Sequence, residues 1–204
     1  MDDKKEIKTL IFDVGNVLLQ YRWHDMIMDY GMSDEEATYV GNELFENNLW
    51  SELDLGTKST EEIIEAYEEA YPEYKDLVRW FLSHGEYMHV KCPDVWQRVH
   101  ALKEKGYGIY LLSNYSKELF DKHTKDADFL KDIDGKVVSY EIHKVKPDPA
   151  IYQYLLEKYH LNPAECVFFD DRPENTKAAE ELGIRSYTIS SKEYLLELLD
   201  KLLS

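Results

Sequence analysis

Five short apolar runs limit the folds open to this 204-residue chain: TLIFDV from Thr9, YGIYLLSN from Tyr107, KVVSY from Lys136, CVFFDD from Cys166 and RSYTIS from Arg185. A strand with one wet face alternates apolar and polar residues, whereas one covered on both faces is apolar throughout, as LIF, IYLL and VFF are here. Stretches with helical spacing lie between the runs. PDVWQRVHALKEKG, from Pro93 to Gly106, puts Val95, Val99 and Leu102 on one face, and DPAIYQYLLEKY opens with Asp148 as N-cap and Pro149 at the first helical position. This alternation predicts an α/β fold on a parallel sheet flanked by helices.

The alternation fails once. Roughly seventy residues without a strand signal separate the first run from the second, far more than a crossover helix requires. Residues 19–88 are therefore expected to form an inserted all-α cap domain of four helices, with 1–18 and 89–204 as the two parts of a core domain. Ser33 with Glu36 and Ser59 with Glu62 read as capping boxes, and Gly31 and Pro72 as stops. The cap aromatics, among them Trp23, Tyr30, Phe45, Tyr67, Trp80 and Phe81, are read mostly as core. At the other end, Leu195, Leu196, Leu198, Leu199, Leu202 and Leu203 form an apolar helix face expected to pack on the sheet, so a monomer is expected rather than a homodimer.

Bulk properties exclude several function classes. With 41 acidic against 24 basic residues the formal net charge is -17, which repels nucleic acid and anionic lipid. Cys92 and Cys166 have neither metal-ligand spacing nor a disulfide framework and read as buried small hydrophobes in a cytoplasmic protein. MDDKKEIK at the start is charged with no apolar segment after it, and no run approaches the ~20 apolar residues of a membrane span.

The chemistry gathers where the strands stop, because open parallel sheets bind ligands at their carboxyl ends. Asp13, then Ser113 with Asn114, and Asp170 with Asp171 stand there, and Lys146 follows KVVSY. A hydroxyl, an amide and a lysine can surround a phosphate, and carboxylates from two strands can hold Mg²⁺, a hard cation that takes oxygen ligands. Asp13, close to such a cation and to Lys146, is expected to stay ionised and to serve as a carboxylate nucleophile.

With these residues in place the chain resembles the haloacid dehalogenase (HAD) superfamily, subfamily IA, with its Rossmann-like core and helical cap. FDVGNV, LLSN, KPDPAIY and FFDDRPENTKAA stand in the order of the superfamily's motifs. Within it the nearest likeness is to sugar phosphatases of the glucose-1-phosphatase kind and to the phosphatase domain of soluble epoxide hydrolase. The resemblance implies a Mg²⁺-dependent phosphatase acting on a small phosphorylated metabolite through an aspartyl-phosphate on Asp13. It implies phosphate contacts from Ser113, Asn114 and Lys146. The implied metal ligands are Asp13, the Gly15 carbonyl and Asp171, with Asp170 as support or alternative ligand. A haloacid dehalogenase, which needs no metal, and a non-catalytic phosphosugar-binding protein are the other readings.

Gly15 departs from the family pattern, in which a second aspartate serves as general acid. A carbonyl can replace that aspartate as ligand but brings no proton, and general acid-base catalysis is worth ~10²–10⁴ in rate. Either turnover is slow, or another group supplies the proton, or the substrate needs none; a sugar 1-phosphate, whose anomeric oxygen leaves readily, fits the last case and is the expected substrate. The cap stretch NNLWSELDLGTKST, from Asn47 to Thr60 between two helical patterns, offers Trp50 and carboxylates to a sugar ring, and His24 is a speculative proton donor.

Overall fold

The computed structural model describes residues 6–204; the charged start at residues 1–5, expected to be neither signal nor span, lies outside the described residues. Seven strands occur among the described residues: β1 (Thr9–Phe12), β2 (Leu19–Tyr21), β3 (His89–Lys91), β4 (Gly108–Ser113), β5 (Gly135–Val138), β6 (Cys166–Asp170) and β7 (Arg185–Thr188). The helices of the first half are α1 (Trp23–Asp29), α2 (Asp34–Phe45), α3 (Asn48–Leu55), α4 (Thr60–Ala70) and α5 (Lys75–Ser83). Those of the second are α6 (Pro93–Glu104), α7 (Lys117–Thr124), α8 (Ser139–Ile142), α9 (Pro149–Lys158), α10 (Pro173–Glu181) and α11 (Lys192–Leu203). None is long and apolar enough to cross a membrane.

The five expected strands form one parallel sheet in the order β5-β4-β1-β6-β7. Its two faces are separate cores, because alternate residues of a strand point opposite ways. Leu10 and Phe12 join Val99, Leu102, Leu195 and Leu199 on the side of α6 and α11, which accounts for the leucine-rich tail. Ile11 faces Ile151, Tyr152, Leu155 and Ala179 of α9 and α10. Phe12 stacks on Phe169 of the adjacent strand at 4.9 Å, a pairing worth about 0.5–1.5 kcal/mol beyond burial. Both cysteines are free and buried, as expected.

Helices α1 to α5 occupy the chain between β2 and β3, two short strands that pair antiparallel with Tyr21 opposite His89. Three residues each are too few for period-2 alternation to register, so neither strand was legible in the sequence. Both expected capping boxes form. The helix count, however, is five rather than four. NNLWSELDLG, expected to link two helices, is itself helical: the Asn47 side chain accepts from the Leu49 N–H at 2.9 Å, and Gly56 ends the helix at φ 66°.

Helix α3 rests on α8. Ser139 Oγ donates to Asp54 O at 2.5 Å, and His143 Nδ1 donates to Leu55 O at 2.8 Å. A Cβ on Gly56 would stand 2.8 Å from Tyr140 Cβ and 3.0 Å from its Cα. Gly56→Ala therefore combines a left-handed backbone penalty with displacement of α3 from α8, and is expected to cost about 1–3 kcal/mol. A urea melt should show a lower midpoint at unchanged slope; an unchanged midpoint would mean that this contact is slack.

Candidate active site

From β1 the chain winds outward through β4 to β5 and then returns to β6 and β7 on the other side. The carboxyl ends of β1, β4 and β6 therefore meet at the point where the strand order reverses, the usual ligand crevice of such sheets. Asp13 follows β1, Ser113 ends β4, Asp170 ends β6 and Asp171 comes next. The Asp13 N–H donates to Phe169 O at 2.9 Å, which sets the acidic strand ends side by side. One oxygen from each of Asp13, Asp170 and Asp171 lies within 4.8 Å of the other two.

Lys146 enters this cluster with its side chain 1% exposed. Its Nζ reaches Leu112 O at 2.9 Å, Asp170 Oδ2 at 2.6 Å and Asp13 Oδ1 at 3.0 Å, so all three ammonium protons have acceptors. The loop that carries Lys146 is held by Asn114, whose Oδ1 accepts from Lys146 N at 2.8 Å and whose Nδ2 donates to Lys146 O at 3.0 Å. Ser113 is fully buried, with Oγ donating to Asp13 Oδ1 at 2.5 Å. Val14 N donates to the same oxygen at 2.8 Å. Three donors thus converge on Oδ1 of Asp13, which leaves Oδ2 to the cavity that Asp13 lines.

The two late carboxylates differ. Asp170 is fully buried: Oδ2 meets Lys146, and Oδ1 accepts from Arg172 N and Asn175 Nδ2, both at 2.9 Å. Asp171 is half-buried, lines the cavity, and accepts on Oδ2 from Asn16 Nδ2 at 2.9 Å. Of the pair, Asp171 retains an oxygen for a ligand. Burial pushes Asp13 up to about 7, with Asp170 and Asp171 adding repulsion and Lys146 and Ser113 opposing them. Burial also raises Asp171. Lys146 stays above its ordinary range despite burial, because Asp13 and Asp170 hold it. Three carboxylates gather around one lysine, so the cluster carries excess negative charge that a further cation would balance. Hard oxygen donors at this spacing fit a small divalent cation such as Mg²⁺.

Gly15 lines the same cavity, and its backbone lies outside the left-handed region. The reason for glycine is space. A Cβ there would meet Tyr21 Oη at 2.5 Å and Tyr21 Cε2 at 2.6 Å, so the Tyr21 ring fills the volume of the absent side chain. Asn16, at φ 52°, joins the loops: its Oδ1 accepts from Tyr21 N at 3.1 Å while its Nδ2 holds Asp171.

The cavity measures about 350 Å³ and is closed on the far side by Trp23, Phe45, Trp50 and Asp54 from the inserted helices. Every core residue expected at the site is there, but Ser113, Asn114 and Lys146 spend their polar groups on fixing Asp13 and one another. Trp50 lines the cavity with its ring edge-on to Phe45 at 4.4 Å. His24 does not reach it; its Nε2 lies 3.1 Å from Thr38 Oγ1, since a side chain on the first turn of α1 points across to α2. Sequence reasoning missed Asn16 and Asn175 as organising groups, and the packing of Tyr21 on Gly15. Asn16 and Asn175 stood inside the motifs, whereas the place of Tyr21 needed the β2–β3 pairing.

A family model described as haloacid dehalogenase-like hydrolase matches residues 7–183. Among curated proteins, drimenol cyclase drtB of Aspergillus calidoustus is 26% identical over 92% of this chain, which spans only 35% of the cyclase. D-ribitol-5-phosphate phosphatase of Bacteroides thetaiotaomicron is 22% identical over 89% of this chain and 91% of its own. Among solved structures, HAD family enzyme bt-2542 of that bacterium, in complex with magnesium and inorganic phosphate, superposes with a TM-score of 0.71 at 23% identity, over 91% of this chain and 95% of that one. That likeness shows the fold. With the family model covering most of its length and the acidic crevice at the strand reversal, the chain belongs to the haloacid dehalogenase-like hydrolases.

Proposed function

We propose that the protein is a Mg²⁺-dependent phosphatase of small phosphorylated metabolites, with a sugar phosphate such as glucose 1-phosphate as the leading substrate class. One observation carries this reading: Asp13 is held by three donors on Oδ1 while Oδ2 faces a cavity that also contains a second carboxylate, Asp171. A phosphate dianion entering beside three carboxylates and one lysine would be repelled, so a divalent cation suits this site better than the metal-free chemistry of a dehalogenase. The volume of about 350 Å³ lies at the small end of ligand pockets, and Trp50 beside Asp54 offers an aromatic face and an acceptor for sugar hydroxyls. Relatives named as phosphatases, among them the ribitol-phosphate enzyme, support the same class.

In this mechanism Asp13 Oδ2 attacks phosphorus to form an aspartyl-phosphate, which water then cleaves. Lys146 lies 3.0 Å from the attacking carboxylate and compensates charge that grows on the phosphoryl oxygens. Ser113 fixes Asp13, and Asn114, which lines the cavity, fixes the Lys146 loop and edges the phosphate position. Asp13, Asp171 and the Gly15 carbonyl would hold Mg²⁺, with Asp170 orienting Lys146; the cation supplies charge neutralisation at the transferring group. Residues 19–88 act as the cap that closes this site.

Asp13→Asn should fold and lose turnover below detection, because an amide cannot form the acyl phosphate. Near-wild-type turnover, with deamidation excluded, would reject the covalent route. Asp171→Asn should raise the Mg²⁺ concentration needed for half-maximal activity by at least about tenfold. Full activity of either protein in chelator would reject the metal.

Stability supplies a test independent of turnover. Because the folded Asp13 sits at about 7, above its ordinary carboxyl value, its contribution in the metal-free protein is present below about pH 4 and lost as pH rises through about 7. Protons and Mg²⁺ compete for these oxygens. The rise in Tm on adding Mg²⁺ should therefore be larger at about pH 8 than at about pH 5. An increment independent of pH would show that the cation binds elsewhere.

A further inference from the structure

The phosphatase reading leaves the leaving group without a proton source, since glycine stands at position 15. Tyr21 fills that volume, but burial pushes its phenol well above the ordinary range, which makes it a poor proton donor near neutral pH. Gly85 O can only accept, so His123 Nε2, at 2.7 Å from it, carries the ring proton. Burial lowers His123 to about 4, so the ring is neutral and Nδ1 is an acceptor. The Tyr115 hydroxyl, 2.9 Å from Nδ1, must donate to it, so its proton is committed.

Two carboxyls remain on the cavity wall: Glu46, exposed at the end of α2, and Asp54, partly buried and held by the core, which is the better placed of the two. Asp54 lies near the end of α3, which Ser139 and His143 latch to α8 through the carbonyls of Asp54 and Leu55. It faces Asp13 and Lys146 from the core loops, the Ser116 N–H that opens α7, Arg172 before α10, and the phenols of Tyr21, Tyr67 and Tyr115. We propose that Asp54 is the general acid and base of this enzyme, supplied by the cap helix α3 in place of the carboxyl that Gly15 lacks. The proposal rests on the phosphatase reading. Burial above all, and then Asp13, pushes Asp54 up to about 7 against the pull of Lys146, the Ser116 N–H and Arg172. A group that must give a proton and take one back works best near that value.

The steps balance. Asp13 Oδ2 forms a bond to phosphorus as the bond from phosphorus to the leaving oxygen breaks; that oxygen keeps the electron pair and takes the Asp54 proton, so an alcohol departs. Water then bonds to phosphorus and gives a proton to the Asp54 carboxylate, while the Asp13–phosphorus bond breaks and its pair returns to Asp13. Phosphate leaves, and Asp54 is protonated again. The lack of a proton donor, on which the sequence favoured a sugar 1-phosphate, then falls away: wild-type rates should depend shallowly on the leaving oxygen.

The test is kcat/KM for Asp54→Asn against wild type, with Mg²⁺, on alkyl or sugar phosphates and on para-nitrophenyl phosphate. This ratio reports steps up to departure of the alcohol, so slow dephosphorylation does not enter it. Asp54→Asn should lose about 10²–10⁴-fold on alkyl phosphates and about tenfold or less on the aryl ester, whose leaving oxygen needs no proton. With alkyl substrates wild type should fall in rate as pH rises through about 7, and Asp54→Asn should lose that fall. If Asp54→Asn does not fold, Asp54→Ala with added formate should recover alkyl turnover selectively. Equal losses on both esters, no loss, or rescue without selectivity would overturn the assignment of Asp54. Wild type inactive on both esters would instead overturn the phosphatase reading.

Discussion

Lys146 is a full charge in a protein interior, and three segments are arranged to tolerate it. Leu112 O from β4, Asp13 Oδ1 after β1 and Asp170 Oδ2 at the end of β6 take its three protons. Each ion costs several kcal/mol to desolvate, and these contacts offset that cost. The same contacts that make burial tolerable set the geometry of chemistry. They align Asp13, give its two oxygens different duties, and leave an excess of negative charge that only a cation can balance. Asn114 and Asn175 extend this order outward, one gripping the Lys146 loop and the other Asp170.

Much of this was legible in the sequence because it depends on strand ends. Continuous apolar runs announced the buried parallel sheet, and a parallel sheet gathers its carboxyl ends, so Asp13, Ser113, Asp170 and Asp171 could be placed together without coordinates. The part that failed depends on contacts between distant segments. Helix α3 is eight residues long with a modest apolar face, and its identity rests on Asn47 and Gly56 at its ends, which also read as loop residues. The β2–β3 ribbon is too short to show a period, yet it carries Tyr21 to Gly15. His24 was placed by proximity in sequence, and the helix turned it outward to Thr38.

Gly15 joins these two levels. Read alone it is a missing carboxyl; in the structure it is the room made for Tyr21, whose ring packs against Tyr115 and His123. A side chain at position 15 and this aromatic row cannot coexist in their present places. In the proposed account, proton transfer passes to the opposite wall, where Asp54 stands on a helix clamped to the core. Closure of the cap would then be a condition of chemistry as well as of substrate retention.

The central claim is that Asp13 carries the phosphoryl group. The most direct measurement is a single-turnover reaction with Mg²⁺ and a hydrolysed phosphomonoester, quenched in acid and followed by peptide mass spectrometry. The account predicts one phosphoryl group on the peptide containing Asp13, appearing no more slowly than alcohol release and lost as phosphate forms. Phosphate release with no protein-bound phosphoryl group at any time, or with that group on a different residue, would contradict it.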